Sequence, residues 1–266
     1  MEKISGGVTA AKGYQAAATA AGIKYQGRTD MAMVYSEVPA AVAGTFTTNV
    51  FKASPVIWDR NIVKGSGIAQ AVVVNSGIAN ACTGEEGDRY CQLTADAAAE
   101  ALGINADAVL LGSTGVIGMQ LPIDKMQAGA KKLSTLLASG TEAGTAAAQA
   151  IMTTDTHKKE IAYTFTVGGR TATIGGMAKG SGMIHPNMCT MLAYVTTDAA
   201  IAQPLLQKAL SEIVVDSFNM ISVDGDTSTN DTLLVLANGM AGNDEIAAEG
   251  ADYEAFYAAL KEVCTY

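Results

Sequence analysis

The chain is poor in residues that support metal, redox or disulfide chemistry: its 266 residues include four cysteines and two histidines. Cys82, Cys91, Cys189 and Cys264 form no CxxC pair, and His157 and His185 belong to no HExxH word. Zinc and dithiol motifs are therefore lacking, and free thiols of a reducing compartment are expected. Positive charge is also scarce. The 17 Lys and Arg stand against 26 Asp and Glu, a net charge of −9, which leaves little basic surface for a nucleic acid or an anionic membrane. Residues 1–24 contain no cationic start followed by an apolar run, and no later stretch reaches the ~18 apolar residues that span a bilayer. These absences lead us to expect a cytoplasmic protein with no metal, no nucleic-acid partner and no membrane partner, and favour chemistry without a cofactor.

What is present describes a folded α/β protein. A hydrophobic content of 49% with only 16% charged residues argues against disorder, and the length allows one large domain or two lobes. Apolar, β-rich runs at 31–35, 69–74, 109–111, 161–167, 170–174 and 233–236 predict strands, with Gly168-Gly169 as a hairpin loop between two of them. Helical spacing predicts helices over 90–102, 124–138, 142–152, 203–218 and 252–264. No βαβ beat repeats, so packed layers are expected rather than a doubly wound parallel sheet. The run from Asp224 to Asp231 looks superficially like a calcium loop. Counted from Asp224, however, Thr229 and Val235 stand where an EF-hand needs glycine and glutamate. Gly175-Gly176 opens no phosphate-binding motif.

The most informative stretch is KGSGMIHPNMCTML at 179–192, where Thr190 follows a tight polar turn and opens an apolar strand. Gly180 and Gly182 permit unusual backbone angles, Pro186 stiffens the approach and Asn187 tolerates a left-handed turn. Such a segment can bring the Cys189 carbonyl within reach of the Thr190 hydroxyl. If the Cys189-Thr190 bond is cut, Thr190 gains a free α-amine, which titrates at roughly 7.7 to 8.0 and can serve as base for its own hydroxyl. In the uncut chain that nitrogen is an amide, so cleavage would be the activating step.

This stretch is one of several words that occur in a fixed order: GGVTA (6–10), GTFTTN (44–49), VNSGIANACTG (74–84), STGVIG (113–118), MTTDT (152–156) and SVDGDTSTND (222–231). Together they resemble the ornithine acetyltransferase, or glutamate N-acetyltransferase, family. One departure lies at the junction, where the family usually has alanine and this chain has Cys189. The resemblance implies a layered α/β/β/α sandwich of the N-terminal-nucleophile type. It implies an α chain over 1–189 and the start of a β chain over 190–266, with the rest of that chain lying beyond Tyr266. The activity implied is transfer of an acetyl group from N2-acetylornithine to glutamate, releasing ornithine. Thr190 would be the nucleophile, Thr114 and Gly115 the oxyanion hole, and Thr154, Lys179 and Thr190 the substrate contacts. No cofactor is implied beyond acetyl-CoA as a second acetyl donor in bifunctional members, and the α and β chains would assemble as a heterotetramer.

Three alternatives stand beside this one. A terminal nucleophile on a related sandwich could hydrolyse rather than transfer, as a self-processing aminopeptidase or amidase. An uncut chain could be a binding or assembly protein with Thr190 as an ordinary strand residue. A truncated chain could be inactive even where its parent is an enzyme.

Overall fold

The computed structural model describes residues 1–183 and 191–266. Its elements follow in the order β1 (Glu2–Ile4), β2 (Tyr14–Thr19), β3 (Met31–Phe46), α1 (Ser54–Lys64), β4 (Ile68–Ile78), α2 (Gly84–Leu102), β5 (Val109–Val116), α3 (Ile123–Thr135), α4 (Thr141–Ala150), β6 (Lys159–Val167), β7 (Arg170–Lys179), β8 (Leu192–Thr197), α5 (Gln203–Ile213), β9 (Thr232–Ala237) and α6 (Ala251–Thr265). One hydrogen-bonded path runs β1-β6-β7-β8-β9-β3-β4-β5, and β2 joins β3 from the side. The pairs β4–β5 and β8–β9 are parallel and the others antiparallel.

Side-chain alternation turns this path into layers. Successive strand residues point to opposite faces, and here each face has its own core. Ala32, Val34, Val72, Val74 and Leu110 pack against Met177, Leu192, Tyr194, Leu234 and Leu236 in a central core between the two halves of the sheet. The opposite faces of β3, β4 and β5 present Met31, Met33, Val73 and Leu111 to α2 and α3. The opposite faces of β6 to β9 present Ile161, Ile174, Val195 and Val235 to α5 and α6. The result is helix, sheet, sheet, helix. Each fully buried Val, Leu or Ile in these layers contributes about 1.5–3 kcal/mol relative to exposure.

β3 is the strand that passes from one sheet to the other. Its first part pairs with β2 and β4 and its last part with β9, with a register shift between Tyr35 and Ala40. Pro39 lies inside that break, where a residue without an N–H costs no ladder bond. Beyond it, Ala43 faces the α5/α6 core, whereas Met31 and Met33 face α2 and α3.

The expected strands and helices all occur, the strands with longer ends, whereas the helices expected over 124–138 and 142–152 stop at Thr135 and Ala150, and Ala138 instead bridges to Ala16. The helix expected over 203–218 stops at Ile213 and gives way to short 3-10 turns at Val214–Asp216 and Phe218–Met220. The Ser217 hydroxyl donates to the Ile213 carbonyl at 2.7 Å, a local bond that competes with helix continuation. Among the described residues, no helix is long and apolar enough to cross a membrane.

Candidate active site

Strand parity brings two of the expected site residues face to face. Thr114 shares the face of Leu110 on β5, and Lys179 shares the face of Met177 on β7, so both side chains enter the gap between the sheets. Both are buried, and the Lys179 Nζ donates to the Thr114 Oγ1 at 3.4 Å. A lysine at 3% exposure is unusual. Burial pushes its pKa down and the neighbouring Lys159 charge adds to this, while Asp155 and Asp231 act in the opposite direction.

Gly115 follows at the point where β5 reaches the surface. Its φ of +135° is left to glycine, and an added Cβ would lie 2.2 Å from the Gly77 carbonyl carbon and 2.3 Å from its oxygen. Gly77 itself has φ +112°, and the β4–β5 register shifts there. Two glycine backbones thus touch where no side chain could fit between them.

The backbone around Thr114 is pinned by buried amides. The Ser113 hydroxyl donates to Asn75 Oδ1 at 2.6 Å, and the Asn75 amide donates to the Ile78 carbonyl at 2.9 Å. Asn230, from the 224–231 word, donates to the Ala79 carbonyl at 2.6 Å and to the Ser113 carbonyl at 2.8 Å. One side chain therefore ties the ends of β4 and β5 together. Neutral bonds of this kind contribute about 1 kcal/mol each but cost more if a buried partner is left unpaired.

The MTTDT word follows α4 as a turn. The Arg28 guanidinium donates to the Met152 carbonyl at 2.6 Å and braces it. Thr154 is exposed, and its Oγ1 lies 2.6 Å from the Ser181 hydroxyl. Asp155 links the turn to the end of β7. It accepts from the Lys159 ammonium at 2.6 Å, the Gly180 N–H at 2.8 Å and the Thr153 N–H at 3.2 Å. Burial alone would raise its pKa, but the Lys159 bond, the Gly180 N–H, the Lys179 charge and the Thr153 N–H outweigh burial and hold the carboxyl below its ordinary value.

Thr114, Gly115, Thr154 and Lys179 thus belong to one neighbourhood built from β5, β7 and the turn after α4. Cys189 and Thr190 lie outside the described residues. The next residue in sequence, Met191, donates its backbone N–H to Asp231 Oδ1 at 3.0 Å. The roles of Asp155, Asn230 and Asp231 were not legible beforehand, although all three lie inside words that mark the site. An apolar cleft of about 330 Å³, lined in part by Gly176, Val195 and Phe218, adjoins this neighbourhood and includes Lys179, Ser181 and Met191 in its lining.

Residues 15–266 match the ArgJ family. The chain belongs to that family. The arginine biosynthesis bifunctional protein ArgJ of Symbiobacterium thermophilum is 54% identical over 265 residues, which cover 99% of this chain and 65% of that protein. The chain therefore spans about 65% of the length of such a curated relative. Among solved structures, the ornithine acetyltransferase of Mycobacterium tuberculosis complexed with ornithine is 40% identical, with a TM-score of 0.63, covering 70% of this chain and 96% of that one. The L-aminopeptidase D-Ala-esterase/amidase of Ochrobactrum anthropi, described as a variant of the Ntn hydrolase fold, has a TM-score of 0.56 over the whole chain at 12% identity. At that identity the likeness concerns fold alone, and it agrees with the α/β/β/α layering described above.

Proposed function

We propose that the complete protein is an acyltransferase of arginine biosynthesis that moves an acetyl group from N2-acetylornithine to glutamate through an acetyl-threonine intermediate. The observation that carries this reading is the buried Lys179 ammonium 3.4 Å from Thr114 at the strand end that exposes Gly115. A cation beside a hydroxyl and an open glycine backbone suits a substrate with a carboxylate next to a carbonyl under attack.

In the precursor, the Thr190 hydroxyl attacks the Cys189 carbonyl carbon, the C–N bond breaks, and the resulting ester is hydrolysed by water. Thr190 then has a free α-amine. In turnover its hydroxyl attacks the acetamide carbon of acetylornithine and passes its proton to that amine, which returns it to the departing ornithine nitrogen. Thr114 Oγ1 and the Gly115 N–H face the tetrahedral oxyanion. Glutamate then enters with its α-carboxylate on Lys179, near Thr154, and its own amine takes the acetyl group. No cofactor takes part, and acetyl-CoA would act as a second acetyl donor at the same threonine. The α (1–189) and β chains would remain together in a cytoplasmic heterotetramer.

The runner-up is hydrolysis on the same framework, favoured only by the shared fold with an aminopeptidase. Intact mass and amino-terminal sequencing of the complete gene product, with acetylornithine supplied plus either glutamate or water, separate the readings. A new terminus at Thr190, loss of both cleavage and transfer in Thr190→Ala, and much faster acetyl release with glutamate are expected. A fully active, unbroken chain would refute the reading.

A further inference from the structure

One row of side chains beneath Thr114 and Lys179, a single long residue crosses the gap between the sheets. Tyr194 on β8 is fully buried between its strand partners, Met177 on β7 and Leu234 on β9. All three belong to the central core. Tyr194 reaches across that core to β5, where a Cβ added at Gly112 would lie 2.0 Å from the phenol oxygen and 3.2 Å from Cζ. Gly112 stands two residues before Thr114 on the same face of its strand, so the phenol meets β5 directly below the Thr114 side chain. The φ of Gly112 is outside the left-handed region, so space rather than backbone conformation calls for glycine there. The phenol oxygen is buried and has no hydrogen-bond partner among the described residues. Phenylalanine would avoid the cost of a dry, unpaired hydroxyl, so what the tyrosine supplies is reach.

We propose that Gly112 and Tyr194 form a length-matched positioning pair that sets the separation of the two sheets, and with it the place of Thr114 and the Gly115 N–H relative to Lys179. Met177 pairs with Tyr194 and Lys179 with Leu192, so Tyr194 and Lys179 occupy neighbouring rows of one ladder. Gly112 and Thr114 are likewise neighbouring rows of the facing ladder, where they pair with Val74 and Ser76 of β4. The 3.4 Å contact between Lys179 Nζ and Thr114 Oγ1 is thus held by the row below it. A phenol ring is rigid, and buried neighbours on both sides leave it no room to swing. Carbon contacts settle at about 3.5 Å, so a methyl at Gly112 would force the ladders apart by about 1 Å or more. The inference rests on the reading of Thr114, Gly115 and Lys179 as an acyl-transfer site. In that reading Thr114 and Gly115 act on an oxyanion that exists only beyond the ground state, so misplacing them lowers kcat more than it alters KM.

The test is a double-mutant cycle on the complete gene product. It reads kcat and KM for acetyl transfer from acetylornithine to glutamate, urea stability, and trace labelling of Lys179 by acetic anhydride followed by peptide mass. Gly112→Ala is expected to lower kcat about 100-fold, the scale of a ~1 Å misplacement, and to label faster at Lys179 as the gap opens. Tyr194→Phe leaves the span one oxygen short and is expected to lose about 3- to 10-fold in kcat. In the double variant the methyl takes the space the oxygen left, and kcat should return to within about 3-fold of native, with labelling restored. A purely structural contact would couple in urea stability alone and leave the kcat of every folded variant unchanged. Native kcat in Gly112→Ala, or a double variant as slow as the product of the two single losses, would overturn the proposal. If circular dichroism finds Gly112→Ala unfolded, Tyr194→Leu replaces it by shortening the span further, and a kcat no lower than that of Tyr194→Phe would overturn the proposal. Absence of transfer in the native complete protein refutes the acyl-transfer reading instead. The labelling then decides the spacer by itself: faster labelling in Gly112→Ala that the double variant reverses upholds it, and uniform labelling sinks it.

Discussion

Gly115→Ala tests the geometry of the β4–β5 junction. The added methyl would lie 2.2 Å from the Gly77 carbonyl carbon, 2.3 Å from its oxygen and 2.6 Å from the Ile78 nitrogen. All three are backbone atoms, so no rotamer change can make room. Carbon contacts settle at about 3.5 Å or more, which means the two strands would have to part by about 1 Å. The backbone adds its own penalty, because φ of +135° disfavours any residue with a Cβ. Backbone strain of about 1–2 kcal/mol and overpacking of about 1–3 kcal/mol together predict a loss of about 2–5 kcal/mol in stability. Gly118, three residues on, provides the control. Its φ is +79° and nothing lies within 4 Å of an added Cβ, so Gly118→Ala should lose only the backbone part. Urea unfolding of both variants measures the stabilities, and single-turnover acetyl transfer by the complete protein measures the site. Under the proposed function, a 1 Å displacement of the Thr114-Gly115 donors should slow acylation by about 100-fold in Gly115→Ala and leave Gly118→Ala near the native rate. Equal stability of the two variants, or native acylation in Gly115→Ala, would refute the reasoning.

Lys179→Met removes the buried ammonium but retains its stem. Under the proposed function it should raise the KM for glutamate and acetylornithine by about 10- to 100-fold, the weight of one charge-assisted bond, with a smaller effect on kcat; steady-state kinetics would contradict this if kcat alone fell. Asp231→Asn has a pH signature in stability. The folded carboxyl titrates at about 8 against 3.8 unfolded, so between those values the native state holds a proton that the unfolded chain releases. The contribution of Asp231 is therefore fully present below pH 4 and is lost as pH rises through 8. Urea denaturation at pH 5, 6.5 and 8 should find the asparagine variant gaining on the native protein by roughly a few kcal/mol across the series; a constant difference would count against the buried, raised carboxyl.

The inner strands of the fold were readable because their side chains follow a single rule. Val72, Val74 and Leu110 alternate with Val73 and Leu111 as strand residues buried on both faces should. α1 escaped because its inward face carries Asp59 among Val56, Ile62 and Val63, and a buried acid interrupts the apolar period on which such a reading relies. That carboxylate accepts the Leu111 N–H at 2.8 Å, a long-range partner with no local signature. β2 escaped for a different reason: its Ala16, Ala17 and Ala18 have little strand preference, and pairing with Met31, Met33 and their neighbours on β3 holds them extended. In the site, the words identified Thr114, Gly115, Thr154 and Lys179 by resemblance. Nothing local distinguished Asn230 from the polar residues beside it. Its role depends on carbonyls at positions 79 and 113 being brought within reach of one amide, a coincidence only the fold produces.

The two acids that influence Lys179 show how one site sets opposite proton affinities. Asp155 receives an ammonium and two backbone N–H groups, and these overcome its burial. Asp231 receives the Met191 N–H at Oδ1, but burial outweighs this and raises it to about 8. At neutral pH the ionised Asp155 therefore stands between two lysines, Lys159 and Lys179, while Asp231 is largely protonated. Two lysines thus share the Asp155 charge, and burial lowers the Lys179 pKa. Under the proposed function, a substrate carboxylate arriving at Lys179 would add a negative charge and raise the affinity of the lysine for its proton. A second carboxylate from the protein would instead fill the place in advance, which is a physical reason for Asp231 to be kept neutral by its surroundings. Its contribution is then the acceptor that holds Met191, not a charge that would compete with the substrate.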